Sequence, residues 1–457
     1  MSRWVTWLVA ALVLSSCHRH VKPEPSTQPV SSEPAIVTPA VPSSDGEAPA
    51  GIARPATAKE RAAVEDLVRA AESVRQLKLR GRVNIEIEDG DAIAQSLRSQ
   101  IEDEEIERAR LVYGALGLLD AEDDLYSMFA GVLGEQVIGY YDPDTDRLVI
   151  RDDVMAGLAG SFGPEQAQEA RLVLVHELVH ALQDQRLELG ESYQRERTAD
   201  ADNAFRAVVE GDATLAMLAE ALRQQGIPLS AATAGIQQMG DYVALDALVR
   251  GEKLDEAPAI LRVTLVAPYL RGLQFVAAVQ GRGGWPAVNN AHRRPPATTE
   301  QVLHPDKYFA REPGEAITIP KNEALVAAGF DRIEEDTLGE LELSVYLGQG
   351  RASGTHEEAA AGWAGDHLVV YRRDEKSAVI WWTSWDSELD AQEAFTAARS
   401  VSPKDSNARV ERRGRFVLIV RGLPHRLHRT ARSDFNSFAR SLKGRPPPPK
   451  LRPSLVY

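Results

Sequence analysis

The 457-residue chain has one cysteine, Cys17, so no intrachain disulfide can form. It has no basic excess. The formal net charge is −15, which argues against a nucleic-acid-binding face, and no nucleic-acid partner is expected. Beyond the N-terminal segment no run approaches 18 consecutive apolar residues, so no membrane span is expected in the body. A nucleophile elbow, a P-loop, a dinucleotide fingerprint and a short-period repeat are also missing. What remains is an ordinary globular composition, 44% apolar, at a length that suits two domains or slightly more.

The cysteine has a context. Arg3 precedes an eleven-residue, largely apolar run from Trp4 to Leu14, too short to span a bilayer and right for a signal peptide. The run ends in Leu14-Ser15-Ser16-Cys17, which resembles the bacterial lipoprotein lipobox. That resemblance implies cleavage before Cys17, lipidation of its thiol and anchoring to the bacterial cell envelope. His18 follows where aspartate would retain an enteric lipoprotein at the inner membrane, so the analogy favours the outer membrane. Residues 17–58, rich in Pro, Ser, Ala and Glu without apolar periodicity, read as a disordered linker.

The body reads as α+β. Val64, Leu67, Val68, Ala71, Val74 and Leu77 recur at helical spacing. Val83, Ile85 and Ile87 alternate as in a strand, and residues 91–133 read as two or three helices. Gln136–Tyr141 and Arg147–Ile150 flank an Asp/Pro turn, which predicts a hairpin rather than a calcium loop, because the EF-hand spacing is missing. Gly163-Pro164 opens a helix to about Gln185, and a second covers roughly 196–224. Residues 281–300, rich in Gly, Pro and Asn, read as a loop. After about 321 the pattern predicts a strand–strand–helix unit that occurs twice. Trp381, Trp382 and Trp385 in its first hairpin read as core packing.

One motif carries chemistry. His176-Glu177-Leu178-Val179-His180 matches HExxH within a strongly apolar helix. Residues four apart share a helix face, so both imidazoles can reach one zinc ion. Glu177 lies about 100° round the helix and can act on water beside the ion as general base. Buried imidazoles and a carboxylate need such partners, which a plain apolar core does not provide. A catalytic zinc takes a third protein ligand. Glu210, 30 residues after His180 on the second helix, is the candidate, with Asp200 and Asp202 as competitors. Gly211 beside it would permit close helix contact.

The segment His176–Asp184 resembles the active-site helix of thermolysin-like peptidases, and Glu210-Gly-Asp-Ala213 resembles the third-ligand segment of gluzincin aminopeptidases. The spacing of 30 is longer than thermolysin's. A closer resemblance, over most of the body, is to a group of bacterial HExxH lipoproteins and secreted proteins. It rests on Gly139–Pro143, His176–Gln185, Val209–Ala213, Gly283–Trp285 and Pro295–Pro305. The resemblance implies a zincin-like fold and bound zinc more firmly than a substrate.

The resemblance to thermolysin-like enzymes makes His304 a candidate oxyanion stabiliser, and it is equally a candidate loop-ordering hydrogen-bond donor; Tyr140 and Tyr141 are rival oxyanion donors or packing residues. Asp184 is a candidate to orient a ligand. The strand at 136–141 is a candidate edge for extended substrate. These readings predict a signal peptide at 1–16, the linker, a zincin-like metallopeptidase domain at 59–320 with a helical N-terminal part at 59–135, a small α+β domain at 321–444 and a Pro-rich tail at 445–457. The expected function is zinc-dependent hydrolysis of a polypeptide substrate by a lipid-anchored envelope enzyme. The alternative is a catalytically silent zincin-like lipoprotein acting as a binding or scaffold module.

Overall fold

Residues 172–182 are apolar on nearly every side of their helix, so the helix has to be wrapped by other elements. A computed structural model describes residues 53–100, 103–120, 122–128, 137–161, 163–237, 252–350, 356–401 and 407–442. The motif helix, Pro164–Leu187, runs through a core made by three helices and a small sheet. Its N-terminus uses Pro164 in the first turn, and Gln166 reaches back to accept from the Gly163 N–H at 3.4 Å. The helix stops at Glu188, which adopts the left-handed conformation (φ 58°).

The first sheet has strands β1 (Ala53–Pro55), β2 (Asn84–Glu88), β3 (Gly139–Asp142) and β4 (Arg147–Arg151), in the order β1-β2-β4-β3. β2 and β4 are parallel and the other pairs antiparallel. The expected hairpin is therefore present. Asp142 organises its turn, accepting from the Asp144 N–H at 3.1 Å and the Thr145 hydroxyl at 2.6 Å. β3 lies at the sheet edge, against the motif helix, and all four of its residues are buried.

Cys17, the signal segment, most of the linker and the 445–457 tail lie outside the described residues. The end of the linker does not. Residues 53–55 pair with β2, and Thr57 caps the helix Ala58–Arg75 through a reciprocal bond with Glu60. Composition hides a three-residue edge strand.

The helix carrying Glu210 spans Ala199–Gln224, and beside it runs a long helix, Ala259–Arg293. The loop expected at 281–300 is largely helix. Gly283 and Gly284 break the helical path (Gly284 φ 65°), and Pro286 follows in the resumed turn, where Trp285, Val288 and His292 are buried. Flexible composition therefore marked a kink. By length and composition this long helix could cross a membrane, although the count of consecutive apolar residues missed it. Its most apolar window is 67% buried within the protein, as expected of a core helix.

The second sheet is antiparallel, in the order β5-β6-β7-β9-β8: Asp331–Asp336, Trp363–Arg373, Lys376–Trp385, Phe416–Arg421 and Arg409–Arg413. The repeated strand–strand–helix unit is present. Its helices, Glu388–Val401 and His428–Ser441, pack on opposite faces. Trp381 and Trp382 alternate between those faces, and both are buried with Trp385. β5 and the helix Gly339–Gly348 were not expected. They join the unit to the rest. One core cluster contains Ile93, Val112, Leu261, Tyr269, Leu343, Trp381 and Ile419, so packing is continuous across the expected boundary at 320/321. The fold class is α+β, as the sequence predicts.

Candidate metal centre

His176 and His180 stand one turn apart, their ring centroids 4.8 Å from each other. Glu210 reaches them from the next helix. Its Oε2 lies 3.2 Å from His176 Nε2 and 3.4 Å from His180 Nε2, and the two Nε2 atoms are 3.1 Å apart. Ligand atoms about 2.0–2.1 Å from a tetrahedral zinc stand roughly 3.3–3.4 Å from one another. The triangle is thus close to the size of one face of a zinc coordination tetrahedron. Two imidazoles and a carboxylate also suit zinc chemically. All three side chains are only 1–2% exposed, so neutral imidazoles and a carboxylate would oppose lone pairs in a dry site unless a cation or proton sits between them.

Helix packing delivers Glu210. A Cβ on Gly211 would fall 2.2 Å from the Gly272 carbonyl carbon, and one on Gly272 would fall 2.3 Å from the Ala207 oxygen. The two backbones are in contact there, so Gly211 does permit close packing, but not against the motif helix. The contacted partner is the long helix.

Electrostatics within the group follow from burial and proximity. Burial pushes Glu177 up to about 8 and drives His176 towards its neutral form. Burial also opposes charge on His180, but Glu210 outweighs it and raises His180 to about 9. Glu210 is held at about 2, against burial, by the charge of His180 and by hydrogen bonds to both imidazoles.

Glu177 is 1% exposed and sits beside the strand edge. Its Oε2 accepts from the Tyr141 N–H at 3.1 Å, and its Oε1 has no hydrogen-bond partner. One oxygen is fixed and the other is free to take a proton. The β3 edge therefore meets the centre through Glu177.

The other expected residues go elsewhere. His304 ends the helix Thr299–Leu303 and bonds to Glu340 at 2.9 Å, and its electrostatic neighbours are Glu340, Lys307 and Glu300. It is not gathered with His176, His180 and Glu210. Its position one residue before Pro305 made it a helix cap at a turn. Tyr140 shares a hydrogen bond with Ser96, and the Tyr141 hydroxyl, with one proton to give, lies 2.9 Å from both Asp146 Oδ1 and Asp184 Oδ2. Asp184 faces that hydroxyl, accepts from the Gly190 N–H and orients neither histidine. Asp200 is taken by Thr299 and Asp202 by Arg206.

Residues not picked out from the sequence complete the surroundings. Gln183 Oε1 lies 2.9 Å from His180 Nδ1. Its Nε2 donates to the Val209 carbonyl and to Asp212, both at 3.0 Å. Asp212 in turn accepts from Arg75 Nε at 2.6 Å and His292 Nε2 at 2.8 Å. Arg75 and His292 hold Asp212 well below the usual carboxylate range, against burial. Tyr269 from the long helix stacks by His176 at 6.1 Å, fully buried, and burial with the charges of Glu210 and Glu177 keeps its hydroxyl protonated. The position of Gln183, three residues after His180, was a readable signal. Nothing local in the sequence ties Arg75, Tyr269 or His292 to the motif.

The profile of a family described as a Domain of unknown function (DUF8575) matches residues 325–431. That stretch holds the second sheet and the helix Glu388–Val401, stops within the first turn of His428–Ser441, and includes none of the centre's residues. Comparison with curated proteins and with solved structures gives no match in either.

Proposed function

We propose that the protein is a zinc-dependent peptidase with a zincin-like centre, in which His176, His180 and Glu210 hold the ion and Glu177 is the general base. The observation that carries this reading is the ligand triangle, with edges of 3.1–3.4 Å, placed beside a buried carboxylate with one free oxygen. Zinc bound there supplies a Lewis acid for the scissile carbonyl and lowers the pKa of water to about 7. Glu177 Oε1 takes the proton of the attacking water and passes it to the leaving amine. The Tyr141 N–H holds the other oxygen and so fixes the carboxylate's direction. Tyr269, protonated and beside Glu210 and Glu177, takes the oxyanion-donor role that the sequence suggested for His304. Extended polypeptide can lie along β3 only once the elements that cover this buried strand move aside. The sequence supports attachment to the outer membrane of a bacterial envelope through lipidated Cys17.

One observation favours the second reading, a catalytically silent binding or scaffold module: the ligands and Glu177 are almost fully covered. Metal analysis and digestion of a peptide library by the soluble body separate the two. The peptidase reading expects about one zinc per chain, lost in His180→Ala, with cleavage abolished in Glu177→Gln although zinc is retained. Absence of zinc, or equal cleavage by Glu177→Gln, overturns it. Zinc without any cleavage supports the silent module.

A further inference from the structure

We infer that Gln183 is a positioning residue that fixes the tautomer of His180, and that Asp212, Arg75 and His292 fix the direction of Gln183. The inference rests on the metal reading above and extends it to how the site is held ready.

A glutamine side chain can present either end, and the choice follows from its partners. On its far side Gln183 faces the Val209 carbonyl and Asp212 Oδ2, each 3.0 Å from Nε2. Both are acceptors. Asp212 also accepts from the Arg75 guanidinium at 2.6 Å and from His292 at 2.8 Å, so it is a carboxylate and has no proton to give. A reversed amide would set its oxygen against two other oxygens where Gln183, Asp212 and Arg75 are all 0% exposed. Oε1 must therefore face His180. Nδ1 of His180 has to donate to it across 2.9 Å, which leaves the lone pair on Nε2. That nitrogen is the one aimed at His176 Nε2 and Glu210 Oε2.

The two histidines are consequently unequal. His176 Nδ1 is buried without a hydrogen-bond partner, so nothing comparable presets it. The relay also reaches far along the chain. Arg75 closes the first helix, donates to Asn289 at 2.6 Å and lies 4.7 Å over the Trp285 ring, while His292 comes from beyond the glycine kink.

The test uses the soluble body with zinc removed and restored. Nitrogen-15 spectra of histidine in metal-free wild type, at alkaline pH where imidazoles are neutral, report the tautomer directly. The expected result is a proton on Nδ1 of His180. A proton on Nε2 overturns the inference, and no substituted protein is needed to see it. In parallel, zinc affinity is measured by competition with a chromophoric chelator. Gln183→Leu is expected to bind zinc 10- to 100-fold more weakly, while His304→Ala binds as wild type does. A folded Gln183→Leu protein with unchanged affinity overturns the inference. If wild type takes up no zinc, the metal reading fails and the tautomer measurement still decides this one.

Discussion

Gly211 and Gly272 bring two helices into backbone contact one residue from Glu210: a Cβ on Gly211 would lie 2.2 Å from the Gly272 carbonyl carbon. A methyl group on either glycine has to push the helices apart. Each Gly→Ala change gains up to about 1 kcal/mol of helix propensity, yet overpacking of this kind costs about 1–3 kcal/mol. Gly211→Ala is expected to lower stability by up to roughly 2 kcal/mol in urea unfolding, the difference of those two effects. It should weaken zinc binding as well, because Glu210 moves with the helix. A stable variant with unchanged zinc affinity would show that the contact does not set the position of Glu210.

His304 offers the converse case. It bonds to Glu340 at 2.9 Å, and its side chain is 42% exposed. Such a pair contributes below about 1 kcal/mol. His304→Ala should therefore keep zinc and turnover, with a small loss of stability. Tyr269→Phe should keep zinc and stability and lose most of kcat with little change in KM, because an oxyanion donor acts in the transition state. Steady-state kinetics on the two variants tell the assignments apart. A large kcat loss in His304→Ala would restore the sequence-based choice.

The contrast shows what the sequence could carry. His176, Glu177, His180 and Glu210 were legible because helical periodicity converts spacing into a shared face, and because buried polar groups demand partners. The hairpin and the repeated strand–strand–helix unit were legible from alternation and turn residues. The kinked helix at 281–293 was not, because Gly and Pro mark a loop and a kink alike. Arg75, Tyr269 and His292 were hidden for a different reason. They reach the centre only through packing of elements distant in sequence, and local pattern contains no information on that.

Buried carboxyls at the junction of the two halves give a pH dependence. Burial pushes Asp200 and Glu342 each up to about 8. Unfolded carboxyls titrate near 4. The native state therefore binds more protons than the unfolded state between those values. Their stabilisation is complete below about pH 4 and is lost as pH rises through about 8. Buried His292 and His428, held towards neutral, act in the opposite sense at lower pH, as the unfolded imidazoles lose their protons near 6.5. Above pH 7 the carboxyls dominate. Thermal unfolding is expected to show a loss of about 3 kcal/mol between pH 7 and 9, about 1.4 for each group. The double variant Asp200→Asn, Glu342→Gln should remove that part of the limb, leaving the part that Glu177 and His180 contribute. A flat wild-type profile over the same range would mean that these carboxyls are ionised at neutral pH.

The same junction predicts what removal of the C-terminal half does. The first turn of the Glu210 helix is satisfied from beyond residue 320: the Ala199 N–H donates to Asp336 at 3.0 Å, and the Asp200 N–H donates to the Thr337 carbonyl at 3.0 Å. Asn203 donates to Glu342 at 2.8 Å, and Leu338, Leu343 and Tyr346 fill the core that holds Tyr269. A chain ending at 320 loses these bonds and exposes that core face, and each buried Leu or Tyr side chain lost from it removes about 1.5–3 kcal/mol of burial. Against a total stability of about 5–15 kcal/mol, this is enough to prevent cooperative folding. The truncated protein should bind a hydrophobic dye, unfold without a sharp thermal transition and fail to retain zinc. The 325–431 segment would then act as a buttress for the third ligand before any role in recruiting a partner is considered. A truncated chain that melts sharply and binds zinc like the full body would separate the two halves and return the C-terminal unit to the status of an independent module.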